Sequence, residues 1–150
     1  MILRIASLNV RGLHASPDGL GRRDKRGALF QWMKSQDWDI ILLQETHANR
    51  RDQVEFWTRQ WGGQAIWALS PSPHTGGTAI LIHPRCPLSI LESETENLGN
   101  WTRVKISFQK EIVNLISVHH PAEPKSRIKW IGENLGRLLA NKDKCSSAGT

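Results

Sequence analysis

Four stretches of this sequence end an apolar run in residues that could do chemistry. They are Asn9 within Ser7-Leu-Asn-Val-Arg11, the segment Gln44-Glu-Thr-His47, the pair Gly76-Gly77, and His119-His120. Glu45 brings an ionised carboxylate, the oxygen donor that a hard divalent cation prefers. Asn9 adds an amide with both an acceptor and donors, and His119 adds an imidazole whose donor capacity grows on protonation. The two adjacent glycines, Gly76 and Gly77, make a turn at the end of a loop. Arg11, Arg22, Arg23 and Arg26 are candidates for phosphate contacts. Each residue also has an ordinary reading. Asn9 and Glu45 can be strand-end residues satisfied by backbone or water, the histidines can fill a loop, and the arginines can form a solvated face.

These residues need elements to position them. Ile40 to Leu43 is an uninterrupted apolar run, which reads as a strand covered on both faces, with Glu45 to His47 at its carboxyl end. In open α/β sheets that end is where ligands bind. Ile2 to Val10 is a β-rich segment closed by Gly12, and Arg11 to Gly21 is a loop leading into the basic cluster Arg22 to Arg26. Helices are expected over Asp24 to Gln36, Arg51 to Trp61 and Ser126 to Ala140, the second stopped by Gly62-Gly63. Further strands are expected at Gln64 to Leu69, Thr78 to His83, Leu88 to Leu91, Trp101 to Phe108 and Glu111 to Val118. In the Trp101 to Phe108 strand, Val104, Ile106 and Phe108 alternate with Arg103, Lys105 and Ser107, the pattern of a strand with one solvated face. Gln109-Lys110 fits a tight hairpin turn, and five tryptophans between Trp32 and Trp67 are expected in the core or in helix packing.

The totals narrow the class. With 150 residues, 39% hydrophobic and 23% charged, the chain is a globular domain with enough length for a real core. A net charge of +6 favours a polyanionic partner. Two cysteines, Cys86 and Cys145, have no metal-ligand spacing and imply no disulfide scaffold. No run is long enough to span a membrane, and the N-terminus lacks the features of a signal peptide. The expected location is intracellular, nuclear or cytoplasmic, and not secreted.

Taken in order, Ser7-Leu-Asn-Val-Arg-Gly-Leu13, Leu43-Gln-Glu-Thr-His47, Gly76-Gly-Thr-Ala-Ile-Leu-Ile82 and Asn114-Leu-Ile-Ser-Val-His-His-Pro121 resemble the endonuclease/exonuclease/phosphatase (DNase I-like) superfamily. More narrowly, they resemble the N-terminal part of the apurinic-type endonuclease domain of non-LTR retrotransposons. The resemblance implies an α/β fold, a partial two-sheet α/β sandwich, over residues 2–140; residues 141–150, polar and without a packing face, are expected to be a disordered tail. The resemblance also implies Mg²⁺, or Mn²⁺, at Glu45 and Asn9, with His119 standing where the family usually has a tyrosine that helps hold the phosphate. The family's later Gly-Asp-X-Asn and Ser-Asp-His motifs, which orient and deprotonate the attacking water, do not occur in the 150 residues. The expectation is therefore a domain whose C-terminal half is absent, a DNA endonuclease by ancestry that is inactive or weakly active alone. Its cut sheet edges would favour self-association. The alternatives are a non-catalytic nucleic-acid-binding module and a relic open reading frame of a mobile element.

Overall fold

The computed structural model describes residues 3–14 and 25–119. The helix expected over 126–140, the tail at 141–150, His120, Arg22 and Arg23 lie outside these residues, as does the domain boundary near 140. Seven strands and two helices are described, in the order β1 (Ile5–Asn9), α1 (Lys25–Ser35), β2 (Ile40–Gln44), α2 (Arg51–Trp61), β3 (Ala65–Ala68), β4 (Thr78–Ile82), β5 (Ser89–Thr95), β6 (Trp101–Phe108) and β7 (Glu111–Val118). They form an α/β arrangement with two sheets. The first has the order β1-β2-β4-β3, with β1 parallel to β2 and the other pairs antiparallel; the second has the order β5-β6-β7 and is antiparallel throughout.

The apolar run of β2 explains the layering. Side chains alternate across a strand, so Ile41 and Leu43 meet Phe30, Met33, Val54, Trp57 and Trp61 of the two helices. Ile40 and Leu42 point the other way and pack with Val104, Ile106 and Leu115 of the second sheet. With both faces covered, no polar residue could alternate in. Strand β4 is buried along its whole length for the same reason. In α2, Val54, Trp57 and Trp61 share the buried face, and the Trp61 indole N–H donates to the Ile82 carbonyl at 2.8 Å. Helix α2 ends at Gly62, whose N–H donates to the Thr58 carbonyl. Among the described residues, no helix is long and apolar enough to cross a membrane.

The second sheet departs from the expected pattern. Arg103 is buried rather than solvated, because its guanidinium lies across the neighbouring strands, donating to Glu94 at 3.3 Å and to Asn114 at 3.3 Å. Lys105 reaches Glu92 in the same way at 3.9 Å. Trp101, on the same face, is buried against Ile116 and Val118. These cross-strand partners also explain why β5 continues through the polar run Glu92-Ser-Glu-Thr95, beyond the expected Leu88 to Leu91. The β6–β7 connection is the two-residue turn expected at Gln109-Lys110. Both residues have positive φ, 50° and 68°, the type I′ geometry that matches strand twist. Of the tryptophans, Trp57 and Trp61 are core residues, while Trp32 is 47% exposed and meets Trp38 edge to face.

Candidate functional site

Parallel pairing of β1 with β2 places Asn9 opposite Gln44, so Asn9 and Glu45 emerge from the same sheet end. Strand β4 runs the other way and starts there, with Thr78 opposite Gln44 and Gly76-Gly77 just before it. The second sheet is joined to this end by three hydrogen bonds. Thr78 and Thr102 share a buried hydroxyl contact at 2.9 Å, Ser117 Oγ donates to the Leu43 carbonyl at 2.7 Å, and Gln44 Nε2 donates to Ser117 Oγ at 3.0 Å. His119 follows Ser117 by two residues. It is partly buried, and its backbone N–H donates to the Asn100 carbonyl at 2.7 Å. The ends that carry Asn9, Glu45 and His119 therefore share one side of the sandwich.

Asn9 and Glu45 are in direct contact, with the Asn9 side-chain NH₂ donating to the Glu45 carboxylate. The amide orientation follows from the network: the Arg11 backbone N–H donates to Asn9 Oδ1 at 3.1 Å, which leaves the NH₂ end for the carboxylate. A charge-assisted hydrogen bond of this kind holds a carboxylate in one orientation. Asn9 thus meets Glu45 as a donor.

The backbone around this pair is unusual. Arg11, Glu45 and His47 all have positive φ, at 50°, 55° and 60°. For side-chain-bearing residues this is a sparsely populated region that persists only where surroundings impose it, and such residues cluster at functional sites. Here the surroundings are a ladder of hydrogen bonds that continues past the strand ends. The Val10, Gly12 and Leu13 N–H groups donate to the carbonyls of Gln44, Glu45 and Thr46 at 3.0, 2.7 and 3.0 Å. On the other side, the Thr46 and His47 N–H groups donate to the Gly77 and Gly76 carbonyls at 3.1 and 2.9 Å. Gly77 has φ 87°, and a Cβ there would stand 2.4 Å from Thr46 Oγ1. Gly12 is pressed as closely against the His47 ring, with 2.7 Å between an added Cβ and Nδ1.

Thr46 is fully buried, and its hydroxyl accepts from the Ala48 N–H, so it supports the loop rather than facing a ligand. Burial holds the His47 imidazole below its ordinary pKa, against the opposing pull of the Glu45 carboxylate. Arg11 is exposed. Arg26 is neither solvated nor turned toward a ligand. It is buried in α1, donates to the Leu13 carbonyl at 3.0 Å and to Gln60 Oε1 at 2.6 Å, and lies over the Trp57 ring at 5.0 Å. Its neighbour Lys25 donates to the Gly12 carbonyl at 3.1 Å. The basic start of α1 thus holds the loop after β1 by its carbonyls.

Three supporting residues carry no sequence signal of their own. His14, Gln53 and Ser117 are polar residues in a loop, a helix and a strand, and only the fold brings them to the ends of β1 and β2. A site for a divalent cation here would rest on oxygen, which suits Mg²⁺ or Mn²⁺. Glu45 supplies an oriented carboxylate. Among the described residues, no group of three or more His, Cys, Asp or Glu could hold a metal ion. A single oriented carboxylate fits an ion that keeps several waters and takes further oxygens from a phosphate.

Comparison with known proteins agrees with this arrangement. Residues 6–147 match the family model described as the Endonuclease/Exonuclease/phosphatase family. Among solved structures, the AP endonuclease LMAP from Leishmania major superposes with a TM-score of 0.59 at 14% identity, covering 85% of this chain and 44% of that one. D. rerio TDP2 complexed with a single strand DNA product gives 0.58 at 20% identity, covering 95% and 54%. The Xenopus laevis APE2 catalytic domain gives 0.55 at 19% identity, covering 82% and 47%. The chain spans about half the length of these three proteins. At such identities the structures speak for the shared fold, and the family match extends over nearly the whole sequence: this chain belongs to the endonuclease/exonuclease/phosphatase family.

Proposed function

We propose that this chain carries the phosphate-binding and metal-binding side of a divalent-metal-dependent DNA endonuclease of the retrotransposon type. The observation that supports this most is the Asn9–Glu45 contact at adjacent parallel strand ends, with Glu45 held in a left-handed backbone conformation. Glu45 would hold Mg²⁺ or Mn²⁺, and Asn9 would orient its carboxylate. When bound, such an ion polarises a phosphoryl oxygen and stabilises a leaving alkoxide. His119 would donate a hydrogen bond to a phosphate oxygen, in the place of the family's usual tyrosine. Arg11, exposed beside Asn9, would add a charge-assisted contact, as would Arg22 and Arg23.

Hydrolysis also needs an oriented, deprotonated water, and the motifs that serve this purpose in the family do not occur in the 150 residues. The chain alone is therefore expected to cut DNA weakly or not at all. Among the described residues β1, β3, β5 and β7 are sheet edges, and Ile5 on β1 is 43% exposed, which favours self-association through an edge.

The test is nicking of supercoiled plasmid by the purified chain with Mg²⁺, beside Glu45→Ala. Weak nicking that disappears in the variant supports the proposal, and equal nicking by both proteins refutes the role of Glu45. A second reading, a non-catalytic binding module, is favoured by the charge of +6. Salt-dependent DNA binding without nicking by either protein selects it.

A further inference from the structure

We infer that His14 is a positioning residue: its imidazole supplies the last rung of the ladder that holds the Glu45 loop in shape. Gly12 and Leu13 donate their backbone N–H groups to the Glu45 and Thr46 carbonyls. The next carbonyl, that of His47, is reached instead by a side chain, His14 Nε2, at 2.7 Å. Three consecutive residues, 12 to 14, thus hold three consecutive carbonyls, 45 to 47, and two of those three carbonyls belong to residues with positive φ.

The surroundings determine the tautomer. The Asn49 N–H donates to Gln53 Oε1 at 3.1 Å, which turns the Gln53 NH₂ toward His14 Nδ1, also at 3.1 Å. Nδ1 must then accept, and the ring proton sits on Nε2, where it can donate to the His47 carbonyl. The Trp57 ring meets the imidazole edge to face, with 5.4 Å between centroids. Helix α2 therefore fixes the ring, through Gln53 and Trp57, and the ring fixes the loop. Helix α1 secures the same stretch from its other side, through Lys25 on the Gly12 carbonyl and Arg26 on the Leu13 carbonyl. Both helices are in this way coupled to the carboxylate of Glu45 without touching it. The consequence for function rests on the reading of Glu45 as a metal ligand, whereas the clamp itself does not.

The experiment uses the 150-residue chain and His14→Phe, which keeps an aromatic ring against Trp57 and removes both ring nitrogens. Imidazole ¹⁵N spectra of the unmodified chain should show His14 protonated on Nε2. Amide hydrogen exchange, measured without metal or DNA, should rise roughly 5- to 10-fold at Gly12, Leu13, Thr46 and His47 in the variant, with β6 and β7 unchanged. A proton on Nδ1, or exchange that is unchanged or raised evenly throughout the chain, overturns the proposal. Gln53→Leu, which removes the group that sets the tautomer, should reproduce the local rise in a second protein, and its failure to do so counts equally against the clamp. Titration with Mg²⁺, followed by amide shifts near Glu45, separates the two ideas. No response in the unmodified chain refutes Glu45 as a ligand and leaves the clamp standing, while a response equally strong in His14→Phe denies the clamp any role in positioning.

Discussion

Replacing Glu45 by glycine should give a more stable protein than replacing it by alanine, the reverse of the usual order. Both substitutions remove the carboxylate and its contact with Asn9, so those losses cancel in the comparison. What remains is the backbone at φ 55°. An L side chain in the left-handed region costs about 1–2 kcal/mol, and alanine pays this in full. Glycine avoids it but frees the unfolded chain by about 0.4–1 kcal/mol. The difference leaves glycine ahead by roughly 0.5–1 kcal/mol, a rise of about 2–3 °C in Tm for a domain of this size. In an ordinary helix or strand, glycine would instead be behind by about 0.5–1 kcal/mol. Urea unfolding of the two variants, followed by tryptophan fluorescence with equal m values, measures the difference. Alanine equal to or more stable than glycine would refute the claim that the loop imposes a left-handed conformation on residue 45.

The remaining predictions concern the support around that loop and one core thiol. Gly77→Ala should destabilise by about 2–4 kcal/mol, combining left-handed strain with the clash against buried Thr46; a loss below about 1 kcal/mol in urea unfolding would show that the loop can shift aside. Ser117→Ala should lower stability by about 1–3 kcal/mol, because it leaves the Leu43 carbonyl and the Gln44 amide short of a partner between the sheets, and a thermal melt unchanged from the parent would count against that link. Burial pushes the Cys86 thiol above its ordinary value of 9.0. Its peptide should stay unlabelled by iodoacetamide at neutral pH in the folded chain and become labelled in urea, and fast native labelling would contradict its burial. Since the unfolded thiol ionises first as pH rises past 9.0, the folded state loses stability in that range, and Cys86→Ala should reduce this loss.

Strand β2 was legible because burial on both faces leaves a one-sided record: Ile40 to Leu43 contain no polar residue, and the structure covers both faces. Helix α2, β6 and β7 also begin and end where periodicity and turn residues place them. The second sheet was less legible. A buried arginine and a solvated arginine look alike in a sequence, and Arg103 is buried only because Glu94 and Asn114 stand on neighbouring strands in the right register. The same limit applies to Arg26. Its position in a basic cluster points to an anion, whereas its partners, the Leu13 carbonyl, Gln60 and Trp57, come together only once α1 and α2 are packed. Asn9 and Glu45 could be named from motif order, but motif order does not reveal which end of the Asn9 amide faces the carboxylate. That depends on the Arg11 N–H, and so on a backbone angle.

The left-handed residues explain why the site needs so much support. Arg11, Glu45 and His47 together cost about 3–6 kcal/mol relative to relaxed backbone, a large share of the stability of a domain this size. Such a conformation survives only if neighbouring groups gain more from it than the strain takes away. Five backbone N–H groups, from Val10, Gly12, Leu13, Thr46 and His47, find carbonyl partners in this shape. At about 0.5–1.5 kcal/mol each, they offset the strain with little left over. This near balance gives the remaining contacts their importance. Lys25, Arg26 and His14, added to the two glycines that admit close approach, decide whether Glu45 is held or released. Loosening any one of them should disturb the carboxylate before it disturbs the fold.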